Sequence, residues 1–282
     1  MAVKILCDSS ADFSIDEIKA MNLLYVPLPV LFGEDSYIEG ENITKDEFYD
    51  MLISNPNFPT TSQPAPTCFL EYFEKAKEDG DEIVAILITE GLSGTIQNAF
   101  LAKNMCDYDK IHIVDGLNIA AALRILIEHA VKLRDEGKTA SEIESALLEL
   151  RERTEVFAAL DTLENLYRGG RLTKAAAGIG ELANLKPVVT VNKEGKVEVC
   201  HKAIGKNKAI GLIVKHYSSL DIDKDFPLYY VYSKETANME LLKSKLLAAG
   251  FSEAEGKACN LGPTLGTHVG IGAYGIAYVK KA

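Results

Sequence analysis

The sequence predicts an α/β protein of two units. A mostly parallel, doubly wound sheet is expected over residues 1–154, and a mixed sheet with helices over 155–282. Three observations carry this prediction. Residues 83–89 (IVAILIT) form an unbroken apolar run rich in β-branched residues, as in a strand buried on both faces. Directly after it come Gly91-Leu92-Ser93-Gly94-Thr95 and then residues 96–105, apolar at helical spacing with Gln97, Asn98, Lys103 and Asn104 on the other side. In the second half, residues 186–191 and 197–201 flank Lys193-Glu194-Gly195, the pattern of a hairpin, which an all-parallel sheet cannot contain.

In chain order, residues 3–7 read as a short buried strand, followed by Asp8-Ser9-Ser10-Ala11-Asp12 and a helix over 14–21. Residues 24–32 read as a second strand, marked by Pro27 and Pro29 as an edge or bulged one. Thr44-Lys45-Asp46-Glu47 is a capping box that opens a helix to about Ile53. Residues 58–66 (FPTTSQPAP) form a loop that cannot be helix, and Pro66 starts the helix running to Lys77. Residues 111–114 are a strand ending at Asp115-Gly116, and 117–135 a long helix. A second capping box, Thr139 with Glu142, opens a helix to about Arg153, with Ile143, Leu147 and Leu150 on its apolar face.

The second unit begins near Val156, with a short helix over 161–167 ended by Gly169-Gly170. Residues 175–183 are small, apolar and glycine-containing, suited to close packing. After the hairpin come a helix over 208–217, a strand over 228–232, a helix over 239–248 and a final strand over 274–279, with polar, glycine-rich loops between the last two.

The chain has 282 residues, 47% of them hydrophobic, enough for two ordinary domains and a sizeable core. Its 30 basic and 41 acidic residues give a net charge of −11 with no basic run, so nucleic acid and anionic membrane are poor partners. Cys7, Cys68, Cys106, Cys200 and Cys259 are scattered and read as small buried hydrophobes in a reducing compartment, without metal-ligand spacing. An acidic residue at position 8 comes too soon for a signal peptide, and no apolar stretch could span a bilayer, so a cytoplasmic protein is expected.

Chemistry gathers where strands end. A strand, a tight glycine turn and a helix start meet at Ser93, where free backbone N–H groups and the helix dipole favour an anion. The Ser93 and Thr95 hydroxyls can donate to it, while the plainer alternative makes Ser93 a helix cap and Gly94 a turn residue. Ser93, Asp115 and His268 also follow the chain order of an α/β-hydrolase triad, but Thr95 stands where a nucleophile elbow has glycine. A phosphate- or sugar-binding nest is the other alternative, although the loop has no P-loop lysine. His268 lies in a stretch with Gly262, Gly266, Gly270 and Gly272, where it is either functional or a satisfied polar group.

With these pieces placed, the chain resembles the DegV family of bacterial fatty-acid-binding proteins over essentially its whole length. The resemblance is carried by Asp8-Ser9 with Asp12, residues 59–64 (PTTSQP), Gly91-Leu92-Ser93-Gly94-Thr95, Leu163-Glu164-Asn165-Leu166 with Gly169-Gly170-Arg171, Leu185-Lys186-Pro187, and Gly262-Pro263 with Gly266 and His268. It implies a non-catalytic carrier, without cofactor or metal, that holds a long-chain fatty acid between its domains and presents it to a separate fatty-acid kinase that makes acyl phosphate for phospholipid synthesis. By position, Thr61 and Ser93 would hold the carboxylate, with His268 in the same network. Ser62, Gly94, Thr95 and Arg171 would lie on the head-group or partner side. Ile179, Leu182 and Leu185 are candidate acyl-chain linings and equally plausible as plain core. Two stretches depart from the family pattern. Asp115-Gly116-Leu117-Asn118, with Ala120, Ala122 and Arg124, replaces a more polar corner, and Ile204 and Lys206 precede Lys208-Ala209 where arginines are usual.

Overall fold

The computed structural model describes residues 2–173 and 184–282. The expected small apolar stretch at 175–183, with Ile179 and Leu182, lies outside the described residues. The first unit is built on a four-stranded, all-parallel sheet of β1 (Val3–Asp8), β2 (Leu23–Val26), β6 (Glu82–Leu87) and β7 (Ile111–Asp115), in the order β2-β1-β6-β7. Its central strands are apolar on both faces because helices cover both. On one face α3 (Pro66–Asp79) and α4 (Thr95–Cys106) pack Phe69, Phe73, Ile96 and Ala99 onto Leu6, Ala85 and Leu87. On the other lie α5 (Ala120–Asp135) and α6 (Ala140–Leu150).

Helix α1 (Ile15–Ala20) and helices α2 (Lys45–Ser54) and α6 each start on a complete capping box, with Ser14, Thr44 and Thr139 as caps. The expected strand over 24–32 is two strands in two sheets. Residues 27–29, proline at both ends, interrupt the ladder, and β3 (Val30–Phe32) instead pairs antiparallel with β4 (Asp35–Tyr37) and β5 (Thr60–Thr61). The loop over 58–66 thus contributes a two-residue strand. The helix expected from Leu117 starts at Ala120, because Leu117 takes left-handed backbone (φ 47°) and Asp115 accepts its N–H at 2.8 Å.

The second unit is a six-stranded sheet of β8 (Thr154–Ala159), β9 (Leu185–Val191), β10 (Val197–Ile204), β11 (Tyr229–Tyr232), β12 (Lys257–Asn260) and β13 (Tyr274–Val279), in the order β10-β9-β8-β13-β11-β12. The β9–β10 hairpin forms as expected, and only β11 and β12 run parallel, so the sheet is mixed. Strand β12 was not anticipated. The short helix here is α7 (Glu164–Arg168), and α8 (Lys206–Ser218) and α9 (Ala237–Ala248) cover one face of the sheet through Phe157, Ala159, Val188, Tyr230 and Ile276. The last loop region holds a helix, α10 (Pro263–Val269), so His268 stands on a helix rather than in a loop. Cys68 is exposed and Cys200 partly so, against the expectation that all five cysteines are buried.

The two units share a core. Residues 120–127 of α5 are all buried, because its second side packs on β8, β11 and β13. One hydrophobic cluster therefore runs from Ile5 and Val84 through α5 to Val156, Ala158 and Val231.

Candidate functional site

Between the carboxyl ends of the parallel strands and the face of the mixed sheet turned toward them lies a partly enclosed cavity. A doubly wound sheet gathers ligands at this edge. The lining comes from both units: Leu28, Ile88 and Ile119 from the first, Val156, Ala158, Val189 and Val231 from the second. Period two explains the second set, since Val156 and Ala158 face the cavity while Phe157 and Ala159 face α8 and α9. Leu265 and Val269 on α10 close one side. Leu185 is not among the lining residues, so that candidate is corrected to a half-buried position on β9.

Besides Thr190 and Thr264, whose hydroxyls meet the Val156 carbonyl and Ser9, the polar groups of the wall are Thr61, Ser93, His268 and Arg171. Thr61, at the end of β5, places Oγ1 2.8 Å from His268 Nε2. Ser93 sits in the turn between β6 and α4, with Oγ 2.8 Å from Thr95 Oγ1 and accepting the Thr95 N–H at 3.4 Å. The cap position of α4 belongs to Gly94, not Ser93. A side chain at Gly94 would collide with Gln63 Oε1, and Asn98 Nδ2 donates to the Pro64 carbonyl at 2.9 Å. The Asn98 bond ties together the two loops that carry Thr61 and Ser93, and Gly94 leaves room for the exposed Gln63 side chain beside it. Ser62 is exposed, donating to the Gln63 carbonyl at 3.3 Å, and Thr95 is buried at the helix start.

His268 Nδ1 is buried against Gly169 with no hydrogen-bond partner among the described residues. Burial first, and the Arg171 charge second, push its pKa down to about 3, so the ring is neutral at physiological pH. Arg171 is half-buried between the cavity and an outer cleft lined by Glu90, Gly91, Gly170 and Lys196. Its Nε donates to the Leu92 carbonyl at 3.0 Å and its Nη1 to Gly169 at 2.6 Å, and burial lowers its pKa. All four of Thr61, Ser93, His268 and Arg171 therefore border one cavity.

The hydrolase arrangement is not assembled. Nε2 of His268 faces Thr61, Nδ1 has no partner among the described residues, and the Asp115 carboxylate accepts backbone N–H groups of Leu117 and Glu90. Nor is the corner at Asp115-Gly116 a polar lining. Asn118 donates to the Thr154 carbonyl at 2.9 Å, and Ile119 and Ala120 present apolar surface, Ala120 in left-handed backbone at φ 53°. Arg124 is an interior strut, paired with Glu17 and Glu128 and stacked 4.3 Å over the Phe13 ring. Among the described residues no group of three or more His, Cys, Asp or Glu could hold a metal ion.

Sequence reasoning missed the valine and alanine lining of β8, β9 and β11. Its only signal was the period-two alternation, which plain core shares.

A family model described as an uncharacterised protein, DegV family, matches residues 2–281. A DegV domain-containing protein of Caldanaerobacter subterraneus is 32% identical over 284 residues, covering 99% of each chain. Among solved structures, a fatty-acid-binding DegV family protein from Thermus thermophilus superposes with a TM-score of 0.88 at 31% identity, covering 100% of both chains. The fatty acid kinase (Fak) B3 protein of Streptococcus pneumoniae, loaded with linoleic acid, shares the fold at a TM-score of 0.84 and 22% identity, with both chains fully covered. The chain belongs to the DegV family.

Proposed function

We propose that this protein is a non-catalytic carrier that holds one long-chain fatty acid in the inter-unit cavity and presents its carboxylate to a fatty-acid kinase for acyl-phosphate formation. The observation that carries the proposal is a predominantly apolar wall on which Thr61, Ser93, His268 and Arg171 form one polar group, the match for a single acyl chain with one head group. Burying roughly a dozen methylenes at about 0.8 kcal/mol each gives on the order of 10 kcal/mol gross. Association and ordering costs remove several kcal/mol of that. The polar end then orients the acid more than it holds it.

The hydrogen bonds fit a carboxylate. Protonation on Nε2 leaves His268 Nδ1 a buried acceptor, which is cheaper to leave unpaired than a buried N–H. Nε2–H then donates to Thr61 Oγ1, and the Thr61 hydroxyl proton is free for the ligand. A Thr95 hydroxyl donating to Ser93 frees the Ser93 proton in the same way. Arg171, on the side of the outer cleft, supplies positive potential where a kinase would approach. With Ile204 61% exposed and no arginine beside it, Arg171 and Lys196 would carry more of that docking. The predominantly apolar wall argues against the sugar-phosphate alternative, and the unassembled triad against the hydrolase one.

Organic extraction of the purified protein followed by mass spectrometry tests the proposal. A co-purified fatty acid near one per chain is expected. A sugar phosphate in its place, or a chain that neither carries nor takes up any fatty acid, overturns it.

A further inference from the structure

A second buried polar assembly joins the two units at the opposite end of α10 from His268. Asp12, 3% exposed, follows the 3₁₀ turn Ser9–Ala11, and its Oδ1 accepts the Gly262 N–H at 2.7 Å, at the cap of α10. Glu39, 8% exposed, has Oε2 2.5 Å from where a Cβ on Gly262 would stand. Lys45, the first residue of α2, donates to the carbonyls of Asp12 at 3.0 Å and Asn260 at 2.9 Å and lies 3.7 Å from Glu39 Oε1. Three buried acceptors here have no hydrogen-bond partner among the described residues: Asp12 Oδ2, Glu39 Oε2 and Asn260 Oδ1.

With both carboxyls ionised, the assembly would be two negative charges against one ammonium. The other groups facing it do not make up the difference. Arg124 on α5 is engaged by Glu17 and Glu128. Cys259 on β12 and Tyr25 on β2 have pKa values pushed up by burial, and the buried Tyr49 hydroxyl on α2 donates to the Leu261 carbonyl at 2.8 Å. An ionised carboxylate left without a partner in such a site is expensive, and one retained proton removes the excess charge and supplies a donor.

We propose that the Asp12–Glu39 pair holds one proton on the acid side of neutrality, and that losing it loosens the joint that sets α10, and with it His268, against Thr61. Burial drives the pKa of Asp12 up to about 7, with Glu39 adding to the rise and Lys45 opposing it, and burial raises Glu39 as well. Both residues are positioning residues, acting through the cap of a seven-residue helix whose other end carries His268. A folded-state pKa raised above the unfolded one means stability that is complete at low pH and lost as pH rises through about 7. His268 is already neutral in that window. The link to ligand release rests on the proposed fatty-acid function, whereas the titration of the joint does not.

The test compares full-length wild type with Asp12→Asn and Glu39→Gln, which keep the size and acceptor oxygen of each side chain. Thermal melts and transfer of radiolabelled palmitate to phosphatidylcholine vesicles are followed from about pH 5 to 8, because the loss of stability runs from the unfolded carboxyl value up to about 7 and is complete above it. Wild-type melting temperature is expected to fall and palmitate release to accelerate about three- to tenfold, with both slopes flattened in the variants. A flat wild-type melting profile, or equal slopes in all three proteins, overturns the retained proton. A melting slope that flattens with no change in release overturns the positioning of His268. Should Asp12→Asn fail to fold, Glu39→Gln reads the same proton. If palmitate binds to none of the three, the fatty-acid function fails while the melting slopes still decide the joint.

Discussion

Thr61 and Ser93 reach the cavity from two different loops, and neither hydroxyl has an acidic partner. Replacing both with alanine removes the two donors proposed for the carboxylate and leaves the acyl wall untouched. Palmitate affinity should then fall by about 1–3 kcal/mol, roughly five- to 150-fold in Kd, and titration calorimetry at fixed pH would measure it. Unchanged affinity would mean that the head group is held elsewhere. His268 plays a different part, because its imidazole is bonded to Thr61 rather than being a charge in its own right. His268→Ala is expected to keep the bound acid but lose most acyl-phosphate formation with a cognate kinase, read as lipid occupancy and kinase turnover on the same samples. An empty cavity in that variant would make His268 a binding group instead. Its lowered pKa also fixes a sign. The neutral ring contributes stability present above pH 6.5 and lost as pH falls toward about 3, on the order of a few kcal/mol, and His268→Ala should flatten that part of an acid-denaturation profile.

At the scale of elements, the wall of the cavity is made by one face of two strands. Val156 and Ala158 on β8, and Val189 and Val191 on β9, point into it, while the alternate residues anchor the sheet to its helices. Ala158→Phe should therefore fill the cavity without disturbing Phe157 or Ala159 on the other face. The variant is expected to lose co-purified fatty acid while melting within a few degrees of the emptied wild type, since the new ring occupies space rather than displacing packed neighbours. Full occupancy by mass spectrometry would show that the acyl chain runs elsewhere. These strands show why part of the site was illegible beforehand. Alternating valines are consistent with any buried face, and no sequence pattern says that a second face stands off far enough to leave room. At the polar end, Ser93 was readable from the strand, glycine turn and helix start that meet there, whereas Thr61 and Arg171 were named only by the family resemblance. Helix α10 was not legible, because its glycines at 262, 266, 270 and 272 mask a seven-residue helix. The division of residues 24–32 between two sheets likewise depends on which partner each half finds, a tertiary choice.

For the molecule as a whole, α5 is the element that makes two sheets one structure. It was expected only as a long helix, yet residues 120–127 are all buried, because α5 packs on β8, β11 and β13 as well as on the parallel sheet. The unit boundary we propose, between residues 154 and 155, is therefore a boundary in chain order rather than a line between independent folding units. A fragment ending at residue 154 would expose the α5 surface that packs on β8, β11 and β13. It would also leave Arg124 without Tyr229 and Asp12 without Gly262. Exposed apolar surface of that kind is normally covered in a stable monomer. The fragment is expected to associate or to melt without a cooperative transition, whereas the full chain should unfold in one step by both circular dichroism and calorimetry. Co-expression of the two pieces should restore the transition, because the missing contacts are non-covalent and the cut falls where the 3₁₀ turn Arg151–Arg153 meets β8. A monomeric, cooperatively folding 2–154 fragment would show that α5 serves the first sheet alone. The cavity would then have to be regarded as a cleft between separable domains, free to open by hinge motion, rather than a gap within one continuous core.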